Sequence, residues 1–311
     1  MNKIAVLFPG QGSQYVGMGK MLYNKYDIAK KIFNTANDIL GFNISKVCFE
    51  GNLKDLIKTT NTQPALITIS YIMYKIFIEE LEVIPSFLAG HSLGELTALC
   101  CSGAIKFEDA LILSNYRAAF MSECAERFLG RMCAVFTDNI QQINNYISII
   151  TSKHDPLVIS NYNSFNQIVV SGSVKNINKF IDITNKNGIK TVLLKTSGAF
   201  HSPFMAEASK KFCECLKKFK FDKINTPVIS NVNASTYASE IEIINNLSCQ
   251  IVSPVRWLES IIFLKNAGVD FFLECGPKNV LKGLTKSILP SVSALSLDLE
   301  DDLEYLRRTI K

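Results

Sequence analysis

Short apolar runs alternating with amphipathic stretches, a serine between two glycines at a strand-to-helix junction, and one β-α-β-β-α-β succession in mid-chain predict an α/β fold. The expected architecture is an α/β-hydrolase-like core with a mostly parallel sheet, plus an inserted ferredoxin-like (βαββαβ) subdomain. Residues 1–126 and 197–311 would supply the catalytic core, and residues 127–196 the small subdomain. At 311 residues, 48% of them hydrophobic, the chain can bury a core of that size.

The first expected strand spans 3–8 and ends in Pro9-Gly10-Gln11-Gly12-Ser13-Gln14. This glycine-rich loop lacks the Gly-Lys-Ser/Thr ending of a phosphate loop and the spacing of a dinucleotide fingerprint. A better use is to bring a backbone amide close to a reacting carbonyl. Helical patterns follow over 24–40 and 53–57. Thr62-Gln63-Pro64-Ala65 then opens a long apolar helix toward residue 81, with Pro64 expected in its first turn. Gln63 either touches the site or simply precedes that helix, and the local pattern favours the second.

Gly90-His91-Ser92-Leu93-Gly94 follows Ser-Phe-Leu-Ala, which reads as strand, and precedes Glu-Leu-Thr-Ala-Leu, which reads as helix. A sharp turn there lifts the serine hydroxyl clear of the backbone, and the amides of the next helix face developing negative charge. Ser92 is the candidate nucleophile. The competing reading is a tight glycine turn whose serine caps a helix.

The helix expected over 107–126 carries Phe107, Ala110, Ser114, Arg117, Ala118 and Met121 on one face. Arg117 stands in the middle of that apolar stripe. A buried guanidinium is costly without an anion, so a protein carboxylate or an anionic ligand should meet it. The residues alone leave both open.

Strands at 133–136, 157–161, 167–171 and 190–195, with helices at 141–150 and 174–187, make up the inserted unit. Ser197-Gly198-Ala199-Phe200-His201-Ser202-Pro203 comes next, where the chain leaves a strand for a helix. Of the three histidines, His91 is tied to the elbow and His154 lies in a polar Lys-His-Asp-Pro loop. Elimination makes His201 the candidate base for Ser92. Strands at 228–232 and 270–274 then alternate with helices running to 250 and over 255–266, followed by helix, strand and helix. The lysine-rich run 210–223 reads as a solvated helix face, with docking of an acidic protein the minor alternative.

Composition removes several function classes. The net charge of +5 is dispersed, which does not imply nucleic acid. The apolar start is too short for a signal peptide, and the greasy run 65–78 is broken by Lys75 and too short for a bilayer. A soluble, cytoplasmic protein without membrane contact is expected. Nine cysteines without a Cys-x-x-Cys pair fit free thiols, and three histidines offer little for a metal site.

Gly10-Gln11-Gly12-Ser13-Gln14, Thr62-Gln63-Pro64-Ala65, Gly90-His91-Ser92-Leu93-Gly94-Glu95, Arg117, Gly198-Ala199-Phe200-His201, Asn231, Gln250, Pro254-Val255-Arg256-Trp257 and Glu274-Cys275-Gly276-Pro277 occur together in order. As a set they resemble the malonyl-CoA:acyl carrier protein transacylases, and the resemblance covers essentially the whole chain. It implies a malonylated Ser92, His201 as base, and a backbone carbonyl of Gln250 orienting that histidine where no acidic residue is evident. It also implies an oxyanion hole from the backbone amides of Gln11 and Leu93, with Arg117 pairing with the malonyl carboxylate. Met121, Phe200, Gln63, His91 and Asn231 would complete the substrate site, Phe200 matching the malonyl-selecting version. The implied partners are malonyl-CoA and acyl carrier protein, acting on a monomer with no cofactor. Lys278, in place of a glycine after Gly276-Pro277, and Leu96, in place of an aromatic residue, depart from the family pattern. The rivals are a serine esterase or thioesterase, since Gly-x-Ser-x-Gly serves those equally, and a non-catalytic carrier-binding scaffold.

Overall fold

The computed structural model describes residues 3–298 and 300–310. Its strands are β1 (Ile4–Phe8), β2 (Phe87–Gly90), β3 (Gly130–Phe136), β4 (Leu157–Ser164), β5 (Gln167–Ser173), β6 (Lys190–Leu193), β7 (Val228–Ile229), β8 (Phe271–Glu274) and β9 (Ser293–Ser296). They form two sheets. The first runs β7-β2-β1-β8-β9, and every neighbouring pair in it is parallel.

β1 lies at the centre of this sheet and all five of its residues are buried. Side chains alternate across a strand, so Val6 and Phe8 enter one apolar cluster while Ala5 and Leu7 enter another. The first cluster includes the helices Thr59–Leu81 and Phe107–Arg127, and the second the helix Trp257–Asn266. Covering both faces explains why these strands read as continuous apolar runs. Each fully buried Leu or Phe in such a layer contributes roughly 1.5–3 kcal/mol.

The second sheet has the order β4-β5-β3-β6 with antiparallel pairing throughout. Its helices, Ile140–Ile150 and Val174–Lys186, occur in the expected β-α-β-β-α-β succession. Cys133, Val135 and Val170 pack with Ile177 and Phe180 on the helix side. Met132, Ala134 and Val169 face the other way, into the main cluster. The sheet is fastened to the core where Tyr162 N–H donates to Val255 O and Val255 N–H to Ser160 O, each at 2.9 Å. One sheet face is thereby held over the ends of β1 and β2.

Several expectations change. The helix expected over 24–40 is two helices, Lys20–Lys25 and Asp27–Leu40, parted at Tyr26, whose backbone is extended. A further helix, Ile44–Glu50, is started by Asn43, whose side chain accepts Lys46 N–H at 2.7 Å. Pro64 sits inside the helix Thr59–Leu81 and not in its first turn. The reason lies upstream: Lys58 O accepts the N–H groups of Asn61 and Thr62 at 2.8 Å, which starts the helix before the proline. The strand expected over 228–232 stops at Ile229, because Asn231 turns away to serve the elbow. Among the described residues no helix is long and apolar enough to cross a membrane.

Candidate active site

The site starts at the end of β2. Ser92 has φ 52° and ψ −108°, a conformation costly for a residue with a side chain, and it directly precedes the helix Leu93–Cys101. The flanking glycines are sterically fixed. A Cβ on Gly90 would lie 1.9 Å from the Gly94 carbonyl, and one on Gly94 would lie 2.0 Å from Phe8 O. Asn231 closes the turn, its Oδ1 accepting Ser92 N–H at 2.7 Å and its Nδ2 donating to Gly90 O at 2.7 Å.

His201 lies with Nε2 2.8 Å from Ser92 Oγ and Nδ1 2.8 Å from Gln250 O. A carbonyl only accepts, so Nδ1 carries the proton and Nε2 offers its lone pair to the serine hydroxyl. Burial, reinforced by the charge of Arg117, pushes the imidazole down to about 3. It is a neutral ring at neutral pH, poised to accept a proton.

Arg117 is 3% exposed. Its Nη1 donates to Gln63 Oε1 at 2.9 Å, while Nη2 donates to Gln250 Oε1 at 2.8 Å and to Ser92 Oγ at 3.1 Å. These are neutral oxygens. Burial lowers its pKa to about 10, which leaves it a cation at neutral pH. Of the two partners left open by the sequence, a directly bonded protein carboxylate is not found at this guanidinium among the described residues. Its charge stands beside the serine hydroxyl.

A sequence model of the acyl transferase domain matches residues 6–295. A malonyl CoA-acyl carrier protein transacylase of Bacillus subtilis (strain 168) is 37% identical over 312 residues, covering 100% of this chain and 98% of the relative. The chain belongs to the malonyl-CoA:acyl carrier protein transacylase family. Among solved structures, the Clostridium perfringens malonyl CoA-acyl carrier protein transacylase superposes with a TM-score of 0.93 at 34% identity, covering 99% of this chain and 97% of the other. A malonyl-transacylase in complex with its type II PKS acyl-carrier protein superposes with a TM-score of 0.94 at 31% identity, covering 99% of each chain.

In this transacylase-family chain a cavity of about 520 Å³ opens over the elbow, between the two sheets. Gln11, Gln63, His91, Ser92, Leu93, Arg117, Met121, Phe200 and His201 all line it. Gln11 is brought there because the loop after β1 abuts the elbow: a Cβ on Gly10 would lie 2.5 Å from His91 O. Gln63 also reaches Met121, its Nε2 lying 3.7 Å from Sδ, which joins two expected site residues across two helices. Of the alternatives for Gln63, contact with the site is the one realised. Asn231 differs from expectation. It is 1% exposed, and both ends of its amide serve the elbow backbone, so its place is beneath the site and not in its wall. His154 is exposed, as its polar loop suggests.

Sequence reasoning missed Asn163, Glu95 and Tyr237. His91 Nε2 lies 3.0 Å from Asn163 Oδ1, and its ring meets Trp257 edge to face with centroids 5.5 Å apart. Asn163 comes from β4, across the cavity from the elbow, and nothing local marks it. Glu95 did carry a signal, being a carboxylate within the otherwise uncharged helix Leu93–Cys101. Among the described residues no group of three His, Cys, Asp or Glu could hold a metal ion.

Proposed function

We propose that this protein transfers the malonyl group of malonyl-CoA to the phosphopantetheine thiol of acyl carrier protein through malonyl-Ser92, in fatty acid biosynthesis. The observation that carries this reading is Arg117: a buried cation bonded, among the described residues, to neutral oxygens, 3.1 Å from the candidate nucleophile. A planar guanidinium pairs bidentately with a carboxylate, and an acyl group ending in methyl would leave it unpaired.

Ser92 Oγ attacks the thioester carbonyl while His201 Nε2 takes the hydroxyl proton. The backbone amides of Gln11 and Leu93 receive the oxyanion. The carbon–sulfur bond then breaks, and the CoA sulfur leaves with the proton from Nε2. The carrier thiol repeats the sequence in reverse, giving its proton to His201 as it displaces Ser92. The Gln250 carbonyl fixes the tautomer throughout, as a carboxylate does in serine hydrolases but with less stabilisation of the imidazolium. The chemistry requires no metal or redox cofactor.

On the same reading, residues 1–126 and 197–311 form an α/β-hydrolase-like core, and residues 127–196 a ferredoxin-like lid over the elbow of a cytoplasmic enzyme. Mass spectrometry tests the function. Incubation with malonyl-CoA should add one malonyl group to Ser92, and added carrier protein should remove it as malonyl carrier. No adduct on Ser92 refutes the mechanism; equally fast loss to water without carrier makes the protein a thioesterase.

A further inference from the structure

Glu95 lies one turn beyond Ser92 and is completely buried. Its Oε1 accepts the Tyr237 hydroxyl. Its Oε2 accepts Gln250 Nε2 at 2.5 Å and Asn231 N–H at 3.2 Å. A backbone N–H and an amide NH2 can only donate, so Oε2 is held as an acceptor, and with the Tyr237 hydroxyl donating to Oε1 the arrangement suits an ionised carboxylate. Burial pushes this carboxyl above its usual range, and the converging donors from Tyr237, Gln250 and Asn231 oppose that shift.

Gln250 joins this group to the arginine. Its Nε2 is divided between Glu95 and Ser92 O, the latter at 2.9 Å, which fixes the amide nitrogen on that side. Its Oε1 is therefore turned to Arg117 Nη2, at 2.8 Å. One neutral amide thus stands between a buried anion and a buried cation. Arg117 is offset at a distance, yet among the described residues no anion bonds the face that it turns toward Ser92.

We propose that Glu95 sets how strongly the site holds a carboxylated acyl group, acting through Gln250 as a remote counter-charge to Arg117. This rests on the malonyl-transfer reading above. An acyl-enzyme that must surrender its malonyl group gains nothing from binding that group equally tightly before and during transfer. Glu95 weakens the hold of Arg117 without competing for its hydrogen bonds, which makes Glu95 a positioning residue and not a catalytic one.

Glu95→Gln subtracts the charge and preserves the shape. The new amide oxygen can accept from Asn231 N–H and Gln250 Nε2, while its nitrogen donates to the Tyr237 hydroxyl. Calorimetric binding of malonyl-CoA and acetyl-CoA is compared in a Ser92→Ala background, which cannot be acylated, with and without Glu95→Gln. Malonyl-CoA should bind about tenfold more tightly in the double variant, the order expected for charges one amide apart at an effective dielectric of about 20. Acetyl-CoA affinity should stay within about twofold, since its acyl group carries no charge beside Arg117 and the CoA phosphates are common to both esters. Loosened packing would weaken malonyl-CoA binding, so the sign separates the two roles. Unchanged or weaker malonyl-CoA binding overturns the proposal. Tyr237→Phe withdraws one of the donors that hold Glu95 ionised against burial, so it moves the carboxyl toward its neutral form and should shift the affinity the same way by less; it carries the test if Glu95→Gln does not fold, and no tightening there overturns the proposal equally. Failure of the wild type to form malonyl-Ser92 would refute the underlying function instead, and a separate assay reads it.

Discussion

Replacing Arg117 with alanine removes three hydrogen bonds and a cation beside the serine, and these losses fall unequally on two substrates. Malonyl-CoA loses its charge-assisted partner, each such bond being worth about 1.5–3 kcal/mol. Taking about 3 kcal/mol for a bidentate pair partly repaid by water, Ser92 malonylation should slow by roughly 150-fold. Acetyl-CoA has no carboxylate to lose. Its acylation forfeits the donor 3.1 Å from Ser92 Oγ, while His201 is relieved of a neighbouring charge that depresses its basicity. A change within about tenfold is expected for that substrate. Gln63 Oε1 and Gln250 Oε1 also lose a donor, at a stability cost of about 1–3 kcal/mol each. Rapid-quench measurement of acyl-Ser92 with each CoA ester cancels that loss, because both substrates meet the same folded fraction. Equal slowing for malonyl and acetyl groups would refute the assignment of Arg117 as the carboxylate partner.

Three further outcomes follow from the geometry of the site. His201 is held down to about 3 in the folded chain, below its ordinary value of about 6.5. Between those values the unfolded state binds more protons, so its contribution to stability is full above about pH 6.5 and falls by about 1.4 kcal/mol per unit as pH drops toward 3. Denaturant titrations at pH 7 and 5 should show that loss, with a shallower slope in His201→Asn; identical slopes would refute it. The malonylation rate should show no limb with a midpoint near 6.5, as an exposed histidine would give. Gly94→Ala places a methyl 2.0 Å from Phe8 O, which must shift the elbow. Malonyl-Ser92 formation should fall by about 100-fold, the usual consequence of a displacement near 1 Å; wild-type rates would show that the turn tolerates a side chain.

The elbow was legible in the sequence because its requirements are local: a strand, a helix, and glycines where a Cβ would strike backbone. Arg117 was legible for a different reason. A charge at a buried position of an amphipathic helix stands out against its neighbours. Pro64 misled because a proline early in an apolar run usually marks a first turn, and here Lys58 had already started the helix. Asn231 was expected in the wall of the site, yet its whole amide is spent on the elbow backbone.

What the sequence by itself determined, then, was the order of the main strands and helices, the candidate nucleophile with its glycines, and the presence of a buried cation. What only the tertiary structure decided was who bonds to whom. Gln250 offers its backbone carbonyl to His201, its side-chain oxygen to Arg117, and its nitrogen to Glu95 and Ser92. Periodicity reports which face of an element is buried, but hydrogen bonds to buried polar groups are chosen among elements far apart in the chain. The parallel sheet, whose neighbours are joined by long crossovers, brings those elements together only once it has formed.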